Sequence, residues 1–178
     1  MNTWVILAVV LGAVVLATVM IVGMSSGPSL PGELLPQELV GFELVNRFDH
    51  VEPIFEGERY STLVSFAPLA GAEFAGKVER MGITAYLFKD RKRAEAAERV
   101  LIDSTGPGAE GVEVDGQAGF AYGSAGEGAP ASAGLIWQTG PVIYQIFVTA
   151  PDGGEPDLEA LKRAALAGAQ AALGLWKR

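Results

Sequence analysis

The run Asp49-His50-Val51-Glu52 sets the only imidazole of the chain among carboxylates, the residue types from which a general base or a metal site is made. One histidine supplies one ligand and no cysteine exists to add another, whereas catalytic zinc takes three protein ligands. The run therefore reads as a solvated loop. Ser124 in AYGSAGEG has Tyr122 two positions before it, where a nucleophile elbow of the form G-x-S-x-G requires glycine. Gly126-x-Gly128-x-x-Ala131 has a degenerate dinucleotide spacing, but Pro130 leads into the strand-like SAGLIWQ and not into the helix whose N-terminus would meet the phosphates. Asp152, Glu155 and Asp157 lack the D-x-[DN]-x-[DN]-G spacing of a calcium loop. No nucleophile, base and orienting group can be assembled, so the expectation is a protein without catalytic residues, metal or cofactor.

Charge is distributed more tellingly. Of the net charge of −8, the stretch from Val100 to Asp157 contributes eight acids and no Lys or Arg. Residues 77–99 carry seven basic residues against four acids. An acidic chain without interleaved aromatic and basic residues excludes nucleic acid as a partner. Lys89, Arg91, Lys92 and Arg93 crowd the start of an expected helix, where the macrodipole favours negative charge. They are candidates for docking on anionic lipid headgroups or on an acidic partner, or else form a solvated face balanced by Asp90 and by the i, i+4 pairs Arg91–Glu95 and Glu95–Arg99. A second candidate surface lies in the C-terminal helix, where Ala164, Gly168 and Ala172 repeat every four residues within AALAGAQAALGLW. Such a small-residue stripe lets another backbone approach closely, and the expectation is that it packs on a neighbouring protein.

The elements that must position these residues begin with WVILAVVLGAVVLATVMIVGM, residues 4–24, which has no charge and a single hydroxyl, Thr18. At about 1.5 Å per residue it reaches the roughly 30 Å of a bilayer core. The n-region Met1-Asn2-Thr3 has no Lys or Arg, and Met24 breaks the small-residue pattern of a cleavage site, so residues 1–24 read as a retained signal anchor. Trp4 suits the headgroup region, and Ala8 with Gly12 and Ala13 with Ala17 offer small-xxx-small faces. No Lys or Arg follows until Arg47, so charge bias gives no orientation. An N-terminal span followed directly by a domain is the usual export arrangement, which puts the C-terminal part outside the cytoplasm, on the periplasmic side of an inner membrane. Residues 25–36, with prolines at 28, 31 and 36, read as a stiff linker, and residues 37–178 as one soluble domain.

Within that domain FELVNRF (42–48), YSTLVSFA (60–67) and ITAYLFK (83–89) have strand chemistry. Asp90 caps a helix with Ala94, Ala97, Val100 and Leu101 at three and four spacing. GVEV, Asp115-Gly116 and QAGFAY form a hairpin; SAGLIWQ and VIYQIFVTA meet around Gly140-Pro141; a last helix spans about 157–175. The expected fold is α+β, an antiparallel sheet of about six or seven strands carrying two helices. Both halves run strands then helix, the order a duplication leaves. The function expected is a non-enzymatic, single-pass accessory subunit that docks on integral membrane protein subunits in the lipid bilayer; the alternative is a membrane-tethered sensor domain that binds a ligand or peptide.

Overall fold

The computed structural model describes residues 34–51, 53–105, 109–114, 116–124, 130–152 and 156–175. The strands are β1 (Phe42–Val51), β2 (Glu58–Pro68), β3 (Arg80–Phe88), β4 (Glu110–Val114), β5 (Gln117–Ser124), β6 (Ser132–Thr139) and β7 (Val142–Thr149). The helices are α1 (Arg91–Ser104) and α2 (Leu158–Gly174). The strands make one antiparallel sheet in the order β1-β2-β3-β7-β6-β5-β4, which is the α+β arrangement the sequence implies.

Alternation along each strand gives the sheet two distinct faces. On β7, Val142, Tyr144, Ile146 and Val148 point one way, level with Ala85, Ile83 and Met81 of β3 and with Trp137, Leu135 and Ala133 of β6. This first face is the main core. Trp137 and Tyr144 are fully buried and stack with centroids 4.9 Å apart. α2 covers the face with Ala160, Leu161, Ala164, Ala165, Gly168, Ala169, Ala172 and Leu173. A Cβ on Gly168 would lie 2.8 Å from Met81 Sδ and 3.1 Å from Ile146 Cδ1, so the glycine is what lets the helix sit this close. The small-residue stripe therefore faces the domain's own sheet. Assigning Ala164, Gly168 and Ala172 to a neighbouring protein is corrected: all three are buried within the domain, and Gly168 lies against Met81, Ile83 and Ile146. The outward face of α2 is mostly polar, with Glu159, Lys162, Arg163 and Gln170 exposed around Leu166.

The second face carries Tyr86, Phe88, Ile136 and Ile143, and α1 covers these four with Ala94, Ala97 and Leu101. Asp90 caps α1 by accepting from Arg93 N at 3.0 Å, as expected. Val100, expected on the buried stripe, is 57% exposed; the inward stripe continues through Leu101, with Ile102 packed against the cluster. The two helices thus lie on opposite faces. β3 and β7 are antiparallel neighbours, each leading to a helix, and a twofold axis that exchanged them would stand perpendicular to the sheet and keep both helices on one face. The shared order of the two halves therefore does not express a twofold duplication.

Leu34, Leu35 and Pro36 are buried, with both leucines in the main core beside Leu39 and Phe42. The domain accordingly starts no later than Leu34, and the linker boundary expected at residue 36 moves back, because two adjacent leucines are better buried than strung along a solvated stalk. Among the described residues no helix is long and apolar enough to cross a membrane. The anchor positions Trp4, Ala8, Gly12, Ala13 and Ala17 lie outside the described residues.

Replacing Gly168 by leucine should drive the helix off Met81 and Ile146. Overpacking of this kind costs about 1–3 kcal/mol, so the melting temperature followed by circular dichroism should fall by roughly 5 °C or more. An unchanged melt would mean that the stripe does not rest on the sheet.

Candidate functional site

α1 covers only one end of the second face, and the cross-strand pairing shows what is left open. One row of neighbours runs Ser65, Gly82, Phe147, Gly134, Tyr122, and the next runs Phe48, Leu63, Thr84, Gln145, Ile136, Phe120. Phe147 is 44% exposed and Phe48 is 52% exposed, while Leu63, Phe120 and Tyr122 are partly covered. Phe147 stands between two glycines, so no neighbouring side chain from its own row shields the flanks of the ring. Leu63 fills part of the gap on one side, its Cδ1 lying 3.7 Å from where a Gly82 Cβ would be. Tyr122 fills the other, its ring lying over Gly134 in the space a Cβ would need.

A chain of hydrogen bonds crosses this surface. Tyr86 OH donates to Gln145 Oε1 at 3.0 Å, Gln145 Nε2 donates to Tyr122 OH at 3.5 Å, and Tyr122 OH donates to the Ile146 carbonyl at 3.2 Å. Each hydroxyl thereby spends its one proton inside the domain. Burial, reinforced by the Glu58 carboxylate, pushes the Tyr86 phenol up from 10.0 to about 12, and burial pushes Tyr122 up as well. Both tyrosines therefore stay neutral near pH 7, where a phenolate base would be needed for proton abstraction. Glu58 itself is held by the amides of Ile54 and Phe55 on Oε2, at 3.0 and 3.1 Å, and its Oε1 is buried without a partner. The surface is thus an apolar, aromatic platform stiffened by an internal polar chain, a composition that suits contact with another protein.

The residues singled out by sequence are dispersed. Asp49 accepts from Arg47 Nε at 3.2 Å and from Thr62 Oγ1 at 3.0 Å, and His50 lies in β1 with its side chain outside the described set. Ser124 ends β5, and residues 125–129 are outside the described set. Asp157 caps α2 by accepting from Ala160 N at 2.9 Å, which accounts for its place in the sequence without a metal. Among the described residues no three His, Cys, Asp or Glu side chains group to hold a metal ion. In the basic cluster, Arg91 pairs with Glu95 at 2.8 Å, and Arg93 pairs with Glu56 at 3.0 Å and Asp90 at 3.7 Å while lying across Gly57. These acids offset the unfavourable helix-end charge. Lys89 and Lys92 are exposed and have no ion pair among the described residues. The cluster sits at the Phe88 end of β3. The incoming chain reaches the sheet at the other end, where Leu39 bridges to Phe42 and Phe42 pairs with Pro68. With about 3.3 Å per residue along a strand, the two ends are roughly 25 Å apart.

Sequence reasoning missed Phe48, Phe147, Tyr86, Tyr122 and Gln145. The run VIYQIFVT holds one clue, since Gln145 interrupts otherwise apolar residues between Ile143 and Phe147.

No protein-family model matches the sequence, and no curated protein does either. A crystal structure of a protein from Bacteroides thetaiotaomicron VPI-5482 aligns with a TM-score of 0.37 at 19% identity, over 72% of this chain and 44% of that one. The chain therefore spans less than half the length of that protein, and a likeness at this level fixes neither fold nor function.

Two outcomes follow from the polar chain. An unfolded tyrosine ionises near 10.0 while Tyr86 in the fold holds its proton to about 12. The stability this difference confers is complete below the lower value and lost as pH rises through the upper one, because the unfolded state then binds fewer protons. Chemical denaturation between these two values should show stability falling with pH, and the fall should be shallower in Tyr86→Phe. Gly134→Ala should displace the Tyr122 ring and lower stability by about 1–3 kcal/mol, with the tyrosine absorbance titrating at lower pH than in the parent protein.

Proposed function

We propose that this chain is a single-pass, membrane-anchored, non-enzymatic accessory subunit whose domain docks on a larger membrane protein complex through the open half of the second sheet face. The observation that carries the reading is the half-exposed Phe147, seated between two glycines in an aromatic stripe that no helix of the described structure covers. A patch of that kind on a protein surface marks a contact site more often than a chance exposure. Lys89 and Lys92 add positive charge at the end of the sheet remote from the incoming chain, which favours a partner subunit over the bilayer as their counterpart. Membrane attachment rests on the uncharged span at 4–24, and the export arrangement puts the domain on the periplasmic side.

The alternative, a tethered sensor domain for a ligand or peptide, draws support from the Tyr86–Gln145–Tyr122 chain, since an extended peptide could lie across it. Its weakness is that all hydroxyl protons of the chain are already committed inside the domain.

Copurification of the full-length chain in mild detergent separates the two. The accessory reading predicts stoichiometric partner subunits with the parent protein and their loss in Phe147→Ser, whose melting temperature should change little because the ring is half exposed. Parent protein that elutes alone, or a Phe147→Ser variant that keeps every partner, contradicts it.

A further inference from the structure

Two neighbouring turns at the end of the sheet where the chain enters are built from residues that turns seldom use. Leu39-Val40-Gly41-Phe42 closes with Phe42 N donating to the Leu39 carbonyl at 3.0 Å, and Leu69-Ala70-Gly71-Ala72 closes with Ala72 N donating to the Leu69 carbonyl at 3.1 Å. In each, glycine holds the third position with φ 81°, as a type II turn requires. The turns abut. Leu69 N donates to the Gly41 carbonyl at 2.9 Å, and a Cβ on Gly41 would lie 3.5 Å from Ala72 Cβ. Turns are ordinarily made with Asn, Asp, Ser or Pro beside the glycine. Here the side chains at the tips are Val40, 95% exposed, and Leu69, 44% exposed, with Ala70 exposed beside it. Val40 gains almost nothing from packing inside the domain.

The route of the chain supplies an occupant for these tips. Leu34 and Leu35 are held in the main core beside Leu39, the first residue of the first turn. The nine residues 25–33 separate Leu34 from the uncharged span at 4–24. Fully extended, they cover at most about 32 Å. The Phe88 end of the sheet lies roughly 25 Å farther along the strands, so the two apolar turns are on the end that the tether holds nearest the bilayer. The charge around them is of the wrong sign for attraction to anionic lipid: Glu38, Glu43 and Glu79 are exposed with no ion pair among the described residues, against Arg80. Any affinity of this end for a membrane must therefore come from its apolar side chains.

We propose that Val40 and Leu69 dip into the headgroup region of the bilayer that holds the chain's own span, by apolar contact and not by charge. The domain then stands on the membrane on its chain-entry end and turns the open second face sideways, toward a neighbour in the same membrane. This orientation rests on the membrane-anchored reading.

The chain has no cysteine, so a single-cysteine probe reports one position. Full-length Leu69→Cys, carrying an environment-sensitive fluorophore and reconstituted into phosphatidylcholine vesicles, should emit to the blue of the same probe in water and be quenched by lipids brominated near the headgroup. Ile54→Cys replaces an apolar residue that is 67% exposed beside the Phe88 end, and its probe should keep water-like emission. Adding Val40→Asp to Leu69→Cys should lower the inserted fraction about tenfold, because a charge replaces an apolar side chain that leaves water, with no change in melting temperature. Phosphatidylglycerol should not strengthen the signal. Water-like emission from Leu69→Cys in protein that floats with the vesicles overturns the proposal and leaves the anchor standing. Protein that does not float with the vesicles overturns both, so the two failures are told apart. A blue shift that is equal at Ile54→Cys, that needs phosphatidylglycerol, or that appears only when partner subunits are present overturns the proposal as well.

Discussion

The seat of α2 on the centre of the sheet is the contact on which the rest of the domain depends. The helix brings little bulk of its own, since six of its eight buried residues are alanine or glycine. The strands bring the bulk instead, through Met81, Ile83, Trp137, Tyr144 and Ile146. Small residues on one side and large ones on the other let the two elements approach until side chains interlock, which is how native packing density is reached. At Gly168 the tolerance for added atoms is set by Met81 and Ile146. That seat also closes the core which Leu34, Leu35, Phe42 and Phe74 complete, so the N-terminal entry of the domain is fixed by the same cluster.

With α2 on the first face, α1 is the element that covers the second among the described residues. α1 is 14 residues long and starts directly after β3, so it covers the end of the sheet that holds Phe88, Tyr86, Ile136 and Ile143. The other end keeps an apolar pattern with no helix of the described residues over it. A strand buried on both faces reads as continuous apolar sequence, and β7 does so although only part of its second face is covered by the described elements. The mismatch between an apolar strand and a surface that the described elements leave uncovered is the physical basis for proposing docking on this face. The internal chain from Tyr86 through Gln145 to Tyr122 keeps the platform rigid without offering free protons to a substrate.

Much of the architecture could be read from residue types. Asp90 as a cap, the Gly140-Pro141 turn and the β-branched and aromatic runs of β2, β6 and β7 are local signals, and local signals determine elements. The proposed docking surface could not be read in this way. The stripe of Ala164, Gly168 and Ala172 says that something approaches closely, and sequence alone does not distinguish the chain's own sheet from another protein. The exposure of Phe147 depends on where α1 ends and on which face it takes, both of which are tertiary outcomes. Leu34 and Leu35 were hidden among prolines that suggested a stalk, although their apolar surface binds them to the core. In the basic cluster the balance by Asp90 and Glu95 was legible from helix spacing, whereas the pair between Arg93 and Glu56 spans 37 positions and was not.

The account turns on which face meets a partner, and cysteine accessibility in native membranes tests that directly because the chain supplies no background thiol. Full-length Phe147→Cys reports the open sheet face, and Leu166→Cys, 39% exposed in the parent residue, reports the outward side of α2. Labelling with a membrane-impermeant maleimide would be compared before and after purification away from partners. The account predicts that Phe147→Cys is shielded in the membrane and reactive once purified, while Leu166→Cys reacts equally in both. Shielding of Leu166→Cys with free reaction of Phe147→Cys would contradict it and return the docking role to α2.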